Sequence, residues 1–377
     1  MNRWLTYDRQ IFKYFNYLLI LQIIPLLAIS STLIYEISPT LFNKQMLYYG
    51  VGTVAFIISA FIPWRKILWW IVPLFYTFNL LLLIAVEVFG KTILGAQRWI
   101  EIPGIGLTIQ PSEFIKVSVI MMLAYMISKK PPPENGYGIV RFISLSIVIL
   151  IPFLLIAKEP DLGTALVLLI TGYGILYMIG VNWKIWIGIV ITVGLSMPLL
   201  YSQLHPYQKK RISDFMGKPS YHVQQALIAI GSGGVHGKAK DEATQTHLKF
   251  LPISSSDFIF AYLGERFGFV GMMTVISLYV ILILHLILIA IWNSTDYLVK
   301  TFASGLAFLI FIYMGVNIYM IIGLAPVVGV PLPMFSHGGT SFIIFAVIFG
   351  ILQNFLAFKS FFVYNPDSKV SMPPSKA

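Results

Sequence analysis

Cysteine is absent from the 377 residues. That excludes a disulfide framework, a thiolate metal centre and a cysteine nucleophile. Charge is scarce: only 11% of residues are Asp, Glu, Lys or Arg, against about a quarter in a soluble domain. There is too little polar surface to cover a soluble globule. The six histidines are scattered and show no His/carboxylate spacing of a metal site. No G-x-S-x-G elbow accompanies Ser254–Ser256 and His247, so a serine hydrolase is not indicated. Gly237-Lys238 fails the phosphate-loop pattern, with Ser232 where glycine is needed and Ala239 where Ser/Thr is needed. No internal repeat is seen.

Apolar length is what the chain has. Hydrophobic residues make up 58% of it and the mean hydropathy is +0.82. A membrane span needs about 20 mostly apolar residues. Such runs lie near 15–35, 46–63, 67–89, 112–128, 139–157, 162–181, 183–201, 266–291, 301–323 and 341–358. The reading is an all-α integral membrane protein of about ten transmembrane helices. The run at 112–128 is the weakest, because it opens on Ser112, Glu113 and Lys116. Trp64, Trp69, Trp70 and Trp183 sit near run ends, as in an interfacial belt. The polar, basic N-terminus and long first run do not read as a cleavable signal peptide.

Short-loop Lys and Arg set the orientation. Arg3, Arg9 and Lys13, then Arg65/Lys66, Lys129/Lys130/Arg141, Lys184, Lys300 and the tail lysines alternate to one side. This predicts both termini in the cytoplasm. Residues 1–363 then form a single polytopic domain with a large loop on the outer side at about 202–265, between spans 7 and 8. Residues 364–377, rich in Pro, Ser and Lys, read as a disordered cytoplasmic tail. The net charge of +11 points to anionic lipid headgroups and not to nucleic acid. The basic 202–265 loop suggests an anionic ligand outside.

Polar residues gather on that outer side in four clusters. Residues 94–116, LGAQRWIEIPGIGLTIQPSEFIK, hold Arg98 beside Trp99, with Glu113 and Lys116 at i,i+3 on one helix face. Either this is an ordinary intrahelical pair, or the charges line a wet cavity, since ionisable groups in a span are expensive. Arg98 would suit a phosphate oxygen. Residues 158–169, KEPDLGTALVLL, put Asp161 before an apolar helix. It is either an N-cap or a surface carboxylate facing Lys158 or a substrate. The third cluster runs from YQKKRISDF (207–215) through YHVQQALIAIGSGGVHGK (221–238) to THLKFLPISSSDFIFAYLGERFG (246–268). A short amphipathic helix is expected at 221–231, the glycine amides could form an anion nest, and Asp257 could cap a helix. The fourth, GLAPVVGVPLPMFSHGGTSF at 323–342, is too broken for a helix and suits a re-entrant or cavity-lining loop.

Taken together and in this order, GAQRWI with QPSE, EPDLGTA, YQ..RI.DF with QQALIAIGSGG, LP...SDFIFA..GE.FG and G..P..GVPLP..S.GG.S resemble the SEDS family of shape, elongation, division and sporulation proteins. The match covers nearly the whole chain. The length, the QRW sequence and the short tail look closer to the elongation (RodA-like) branch than to the division (FtsW-like) branch. The resemblance implies a ten-span SEDS fold and peptidoglycan glycosyltransferase activity on lipid II at the periplasmic face. It implies a class B penicillin-binding protein as partner, beside other elongation-complex membrane proteins. Asp257, in the SDFIF position, becomes the candidate base, and Asp161, in PDLGTA, a positioning group or cation contact. Arg98, Lys116 and Arg211 become diphosphate contacts, with Glu113 holding Lys116. Trp99, Lys158, Gln225, Ser336, Gly338 and Gly339 fall at the family's substrate-binding stretches. No organic cofactor is expected, and no metal ligand set is legible. A divalent cation, Mg2+ or Mn2+, could help neutralise the diphosphate. Ile253, Lys249, Ala239 and His337 depart from the usual family pattern. A lipid II flippase and a non-catalytic scaffold are the alternatives. A transporter should show polar groups at full depth and two related halves.

Overall fold

A computed structural model gives the fold; it describes residues 14–358 apart from 94–95, 102–107, 160, 204–208, 210–212, 214–216, 218–219, 244, 246–249 and 251–253. The helices are α1 Tyr17–Ile37, α2 Pro39–Phe61, α3 Trp64–Phe89, α4 Pro111–Lys129, α5 Ile139–Lys158, α6 Leu162–Ile179, α7 Trp183–Ser202, α8 Tyr221–Gly233, α9 Ile259–Trp292, α10 Tyr297–Ile321 and α11 Gly339–Ala357. Eight of them, all except α2, α7 and α8, are long and apolar enough to cross a membrane. α2 and α7 coincide with the other two expected runs. α2 is diluted by Lys44, Gln45, Tyr48 and Tyr49, while α7 carries an apolar stretch at Trp183–Pro198. Between α3 and α4 lies one β-element, an antiparallel ribbon of β1 Lys91–Ile93, β2 Ala96–Glu101 and β3 Thr108–Ile109 in the order β1-β2-β3.

Two boundaries differ from the sequence reading. The loop expected at 36–45 shrinks to Ser38, because Pro39 sits at the first position of α2, where its missing N–H costs nothing. α9 starts at Ile259, not near 266, and runs through a kink at Gly268 with φ 63°.

α4, the run that looked weakest, is the most enclosed candidate span: 83% of its apolar window is buried, against 28% for α1 and α3. It is sheltered from lipid on most sides, so polar residues can face neighbours instead of hydrocarbon. Small residues let the helices close around it. Gly305 of α10 admits Ile120 of α4 and Ile175 of α6, and Gly52 of α2 admits Phe342 of α11.

Polar clasps hold both ends of the bundle. At one end, Arg65 pairs with Asp296, the N-cap of α10, at 2.6 Å and donates to the Phe355 carbonyl at 2.9 Å. Gln353 bonds the backbone of Asn16 at 2.9 and 2.6 Å, and His285 bridges Asn16 and Gln22. At the other end, Arg266 of α9 forks onto Glu36 of α1 at 2.9 and 3.0 Å. The bidentate geometry fixes α1 against α9. That second end also carries the β-ribbon, α8 and the 323–338 loop, where the four sequence clusters meet.

Candidate functional site

Of the two alternatives for Asp161, the structure shows the N-cap; the side chain is buried and not at the surface. It caps α6, accepting from the Thr164 N–H at 3.2 Å, and it has two further partners. Arg98, on β2, reaches it at 3.5 Å, and Gln110, just before α4, donates at 3.4 Å. Asp161 is 2% exposed and Arg98 21% at the side chain. A buried carboxylate thus lies beside a partly exposed guanidinium. Lys158 takes no part: its side chain is exposed and lies 4.0 Å from Glu87, so the pairing of Asp161 with Lys158 is corrected to Asp161 with Arg98. Trp99 stands next to Arg98 on β2, half-buried and in register with Lys91.

Glu113 and Lys116 do form the expected pair, at 2.6 Å. Lys116 also meets the hydroxyl of Tyr313 on α10 and lies over that ring, 4.7 Å from its centroid. Its side chain is only 3% exposed. The ammonium is sealed by Glu113 and Tyr313, so Arg98 is the better-presented cation for a phosphate oxygen. One turn along α10, Asn317 donates to the carbonyls of Asp257 at 2.8 Å and Val330 at 2.7 Å. The charged lock and the Asp257 seat are therefore joined by one helix face.

Asp257 is not an N-cap. Phe258 holds that position and caps with no side-chain bond. The Asp257 carboxyl is instead half-buried, facing Gly329 of the 323–338 loop. Burial pushes its pKa above the usual aspartate value, against a smaller lowering by a Ser256 hydrogen bond. The loop itself is pinned to the 254–257 turn. Ser336 Oγ donates to the Ser256 carbonyl at 2.7 Å and accepts from the Leu332 N–H at 2.8 Å. The His337 N–H donates to the Ser255 carbonyl at 2.9 Å. His337 Nδ1 meets Gln45 at 2.8 Å; burial, then nearby Lys44, lowers its pKa. Met334 sits at φ 61°, a strained backbone for a non-glycine residue that persists where surroundings over-determine it. Gly338 is the N-cap of α11 and Gly339 lies flush on the Tyr48 ring, where a side chain would not fit.

The loop also links the two carboxylates. Val328 packs on Gly163, two residues beyond Asp161, and Gly329 faces Asp257. The Arg98–Asp161 pair and Asp257 thus flank one loop.

The glycine stretch after α8 is a packing seam and not an anion nest. The amides of Gly237 and Lys238 donate to the carbonyls of Gly233 and Glu265, at 2.8 and 3.1 Å. Gly234 and Val235 accept from Phe269 and Val270 across the α9 kink. Gly233, Gly237 and Gly268 lie so close to the facing backbone that a Cβ would collide. The expected helix at 221–231 is present as α8, with Val223, Ala226 and Ala229 turned inward and Gln225 half-buried. Arg211, Lys249, Ile253 and the segment 364–377 lie outside the described residues.

Gln110, Glu159, Tyr313 and Asn317 belong to the site and went unread in the sequence. Tyr313 and Asn317 did leave a signal: two polar residues at i,i+4 within an apolar helix. Among the described residues no group of three His, Cys, Asp or Glu side chains could hold a metal ion.

Residues 8–360 match the family model FTSW_RODA_SPOVE, described as cell cycle protein. The chain is similar to the peptidoglycan glycosyltransferase MrdB of Helicobacter pylori strain 26695, at 49% identity over 95% of this chain and 94% of that one. A chain from a structure titled "Structural coordination of polymerization and crosslinking by a peptidoglycan synthase complex" superposes with TM-score 0.79 at 24% identity, covering 91% of this chain and 98% of that one. The rod shape determining protein RodA of Thermus thermophilus superposes with TM-score 0.67 at 24% identity, over 91% and 96%.

Proposed function

Because this chain belongs to the FtsW–RodA–SpoVE family of cell cycle proteins and is a membrane-embedded peptidoglycan glycosyltransferase of cell elongation, we propose that its site polymerises lipid II with Asp257 as base and Arg98 as the diphosphate contact. The acceptor sugar hydroxyl attacks the donor's anomeric carbon, the lipid diphosphate leaves, and the configuration inverts. The hydroxyl proton passes to the Asp257 carboxylate. A base with a raised pKa takes that proton more readily than an ordinary aspartate. Charge developing on the departing diphosphate meets Arg98, which is held by Asp161, itself bonded by Gln110. Lys116, neutralised by Glu113, acts through packing: its lock on Tyr313 aligns α10 so that Asn317 seats Asp257.

The observation that carries this reading is the shared loop, with Val328 against the cap of α6 and Gly329 against Asp257. A divalent cation would enter with the diphosphate, as Mg2+ does when substrate phosphates supply its oxygen ligands. The partner is a crosslinking enzyme of the class B penicillin-binding type, beside other elongation proteins. The site end faces the periplasm and both termini the cytoplasm of the inner membrane, in keeping with the alternation of basic loops.

The test is polymerisation of labelled lipid II by purified protein with its cognate transpeptidase. Wild type should give glycan ladders and Asp257→Ala none. Ladders from both would remove Asp257 as base. Ladders from neither, with partner and divalent metal present, would shift weight to the flippase or scaffold.

A further inference from the structure

Where the 323–338 loop runs into α11, the His337 ring ties it to α2. Its Nδ1 meets Gln45 Oε1 at 2.8 Å. An amide oxygen can only accept, so Nδ1 carries the proton of this bond. Gln45 is 0% exposed, and its Nε2 has no hydrogen-bond partner among the described residues. Without the ring, the whole amide would be buried and unpaired, which is costly. Tyr48, one turn along α2, lies beside the ring at 6.0 Å between centroids. The main chain of the same residue points elsewhere. The His337 N–H donates to the Ser255 carbonyl at 2.9 Å, two residues before Asp257. The loop has earlier anchors: Tyr279 of α9 donates to the Pro333 carbonyl at 2.6 Å, and Ser30 of α1 to that of Phe335. Those ties hold the loop to α9 and α1. The ring of His337 fixes to α2 the residue whose N–H touches the Asp257 turn.

We propose that His337 is a positioning residue for Asp257: its ring, locked to Gln45, holds the backbone N–H on Ser255 and so sets the turn from which the Asp257 carboxyl meets the acceptor hydroxyl. The inference rests on the reading of Asp257 as base and adds what aims it. With the ring bond gone, the loop keeps its anchors at Pro333 and Phe335, but the Asp257 turn gains play. A displacement of about 1 Å at a reacting group can cost on the order of a hundredfold in rate, so a partial slackening should cost about tenfold. Substrate binding, which draws on other residues, should change little.

The experiment measures kcat and KM for lipid II polymerisation by the full chain with its transpeptidase, on protein shown by thermal unfolding to be folded at the assay temperature. His337→Leu should lower kcat about tenfold and leave KM within about twofold. Gln45→Leu should do the same, and the double variant should be no slower than the slower single one, because both remove one bond. His337→Asn places an amide N–H close to where Nδ1 stands and should recover most of the lost kcat. Losses that multiply in the double variant overturn the inference. So does a His337→Asn protein as slow as His337→Leu, or a raised KM with kcat intact. If His337→Leu does not fold, Gln45→Leu decides alone, and an unchanged kcat there refutes the role. Asp257→Ala separates the two ideas. If it still polymerises, the reading of Asp257 as base fails and the inference with it. If it is inactive while His337→Leu keeps the wild-type kcat, only the role of His337 is overturned.

Discussion

Replacing Lys116 with methionine removes the cation that faces Glu113 from a place water does not reach. The Lys116 side chain is 3% exposed and that of Glu113 12%, at a separation of 2.6 Å. Breaking such a buried pair from one side costs about 3–5 kcal/mol, because the remaining charge stays buried. At roughly 2 °C per kcal/mol for a large domain, the unfolding midpoint should drop by about 6–10 °C. Tyr313, whose hydroxyl lies 3.5 Å from Glu113, softens the loss only slightly. Glu113→Gln combined with Lys116→Met removes both charges and should recover more than half of the lost stability. The assay is thermal unfolding in one detergent across the wild type, the two single variants and the double variant. A Lys116→Met protein melting within about 1 °C of wild type would refute the buried-charge argument. So would a double variant no better than that single one. Polymerisation by the double variant then speaks to chemistry: if Lys116 meets the diphosphate directly, a stable double variant must still be inactive.

Asn317→Leu orphans the carbonyls of Asp257 and Val330. It should destabilise by about 1–3 kcal/mol and lower kcat more than it raises KM, measured by unfolding and by steady-state polymerisation. The acid limb of kcat should lie at higher pH than an ordinary aspartate gives. The working form of Asp257 is the carboxylate, its pKa is raised, and activity is therefore lost earlier as pH falls; a limb at the ordinary value would contradict the burial argument. Gly237→Ala puts a Cβ at φ 82° into the backbone of Arg266. It should destabilise by more than about 1 kcal/mol in the same unfolding assay, whereas Gly188→Ala, on the open face of α7, should not.

Much was legible in the sequence because hydrocarbon is an exacting solvent. A chain with so few charges has to bury its backbone polarity inside helices, so apolar runs read directly as α1 to α7 and α9 to α11. Local chemistry was legible as well. The i,i+3 spacing gave the Glu113–Lys116 pair, and an Asp before an apolar run gave the cap of α6. The motif resemblance reached further, to the family itself.

Tertiary packing decided the rest, because partners far apart in sequence leave no periodic trace. Nothing local says that Arg98 turns to Asp161 and not to the diphosphate alone, or that Lys158 turns away to Glu87. Asp257 and Asn317 meet across 60 positions, and the bond is invisible until α10 is packed. The glycines near 233–237 looked like an anion nest; only the packed fold shows the Gly237 amide bonded to Gly233 and the Gly234 carbonyl engaged by α9. The burial of Glu159 is of the same kind. The sequence determined which residues could carry charge into the membrane, and the packed helices decided which of those charges are balanced, sealed or left open to a substrate, since each depends on what the fold brings within a few ångströms.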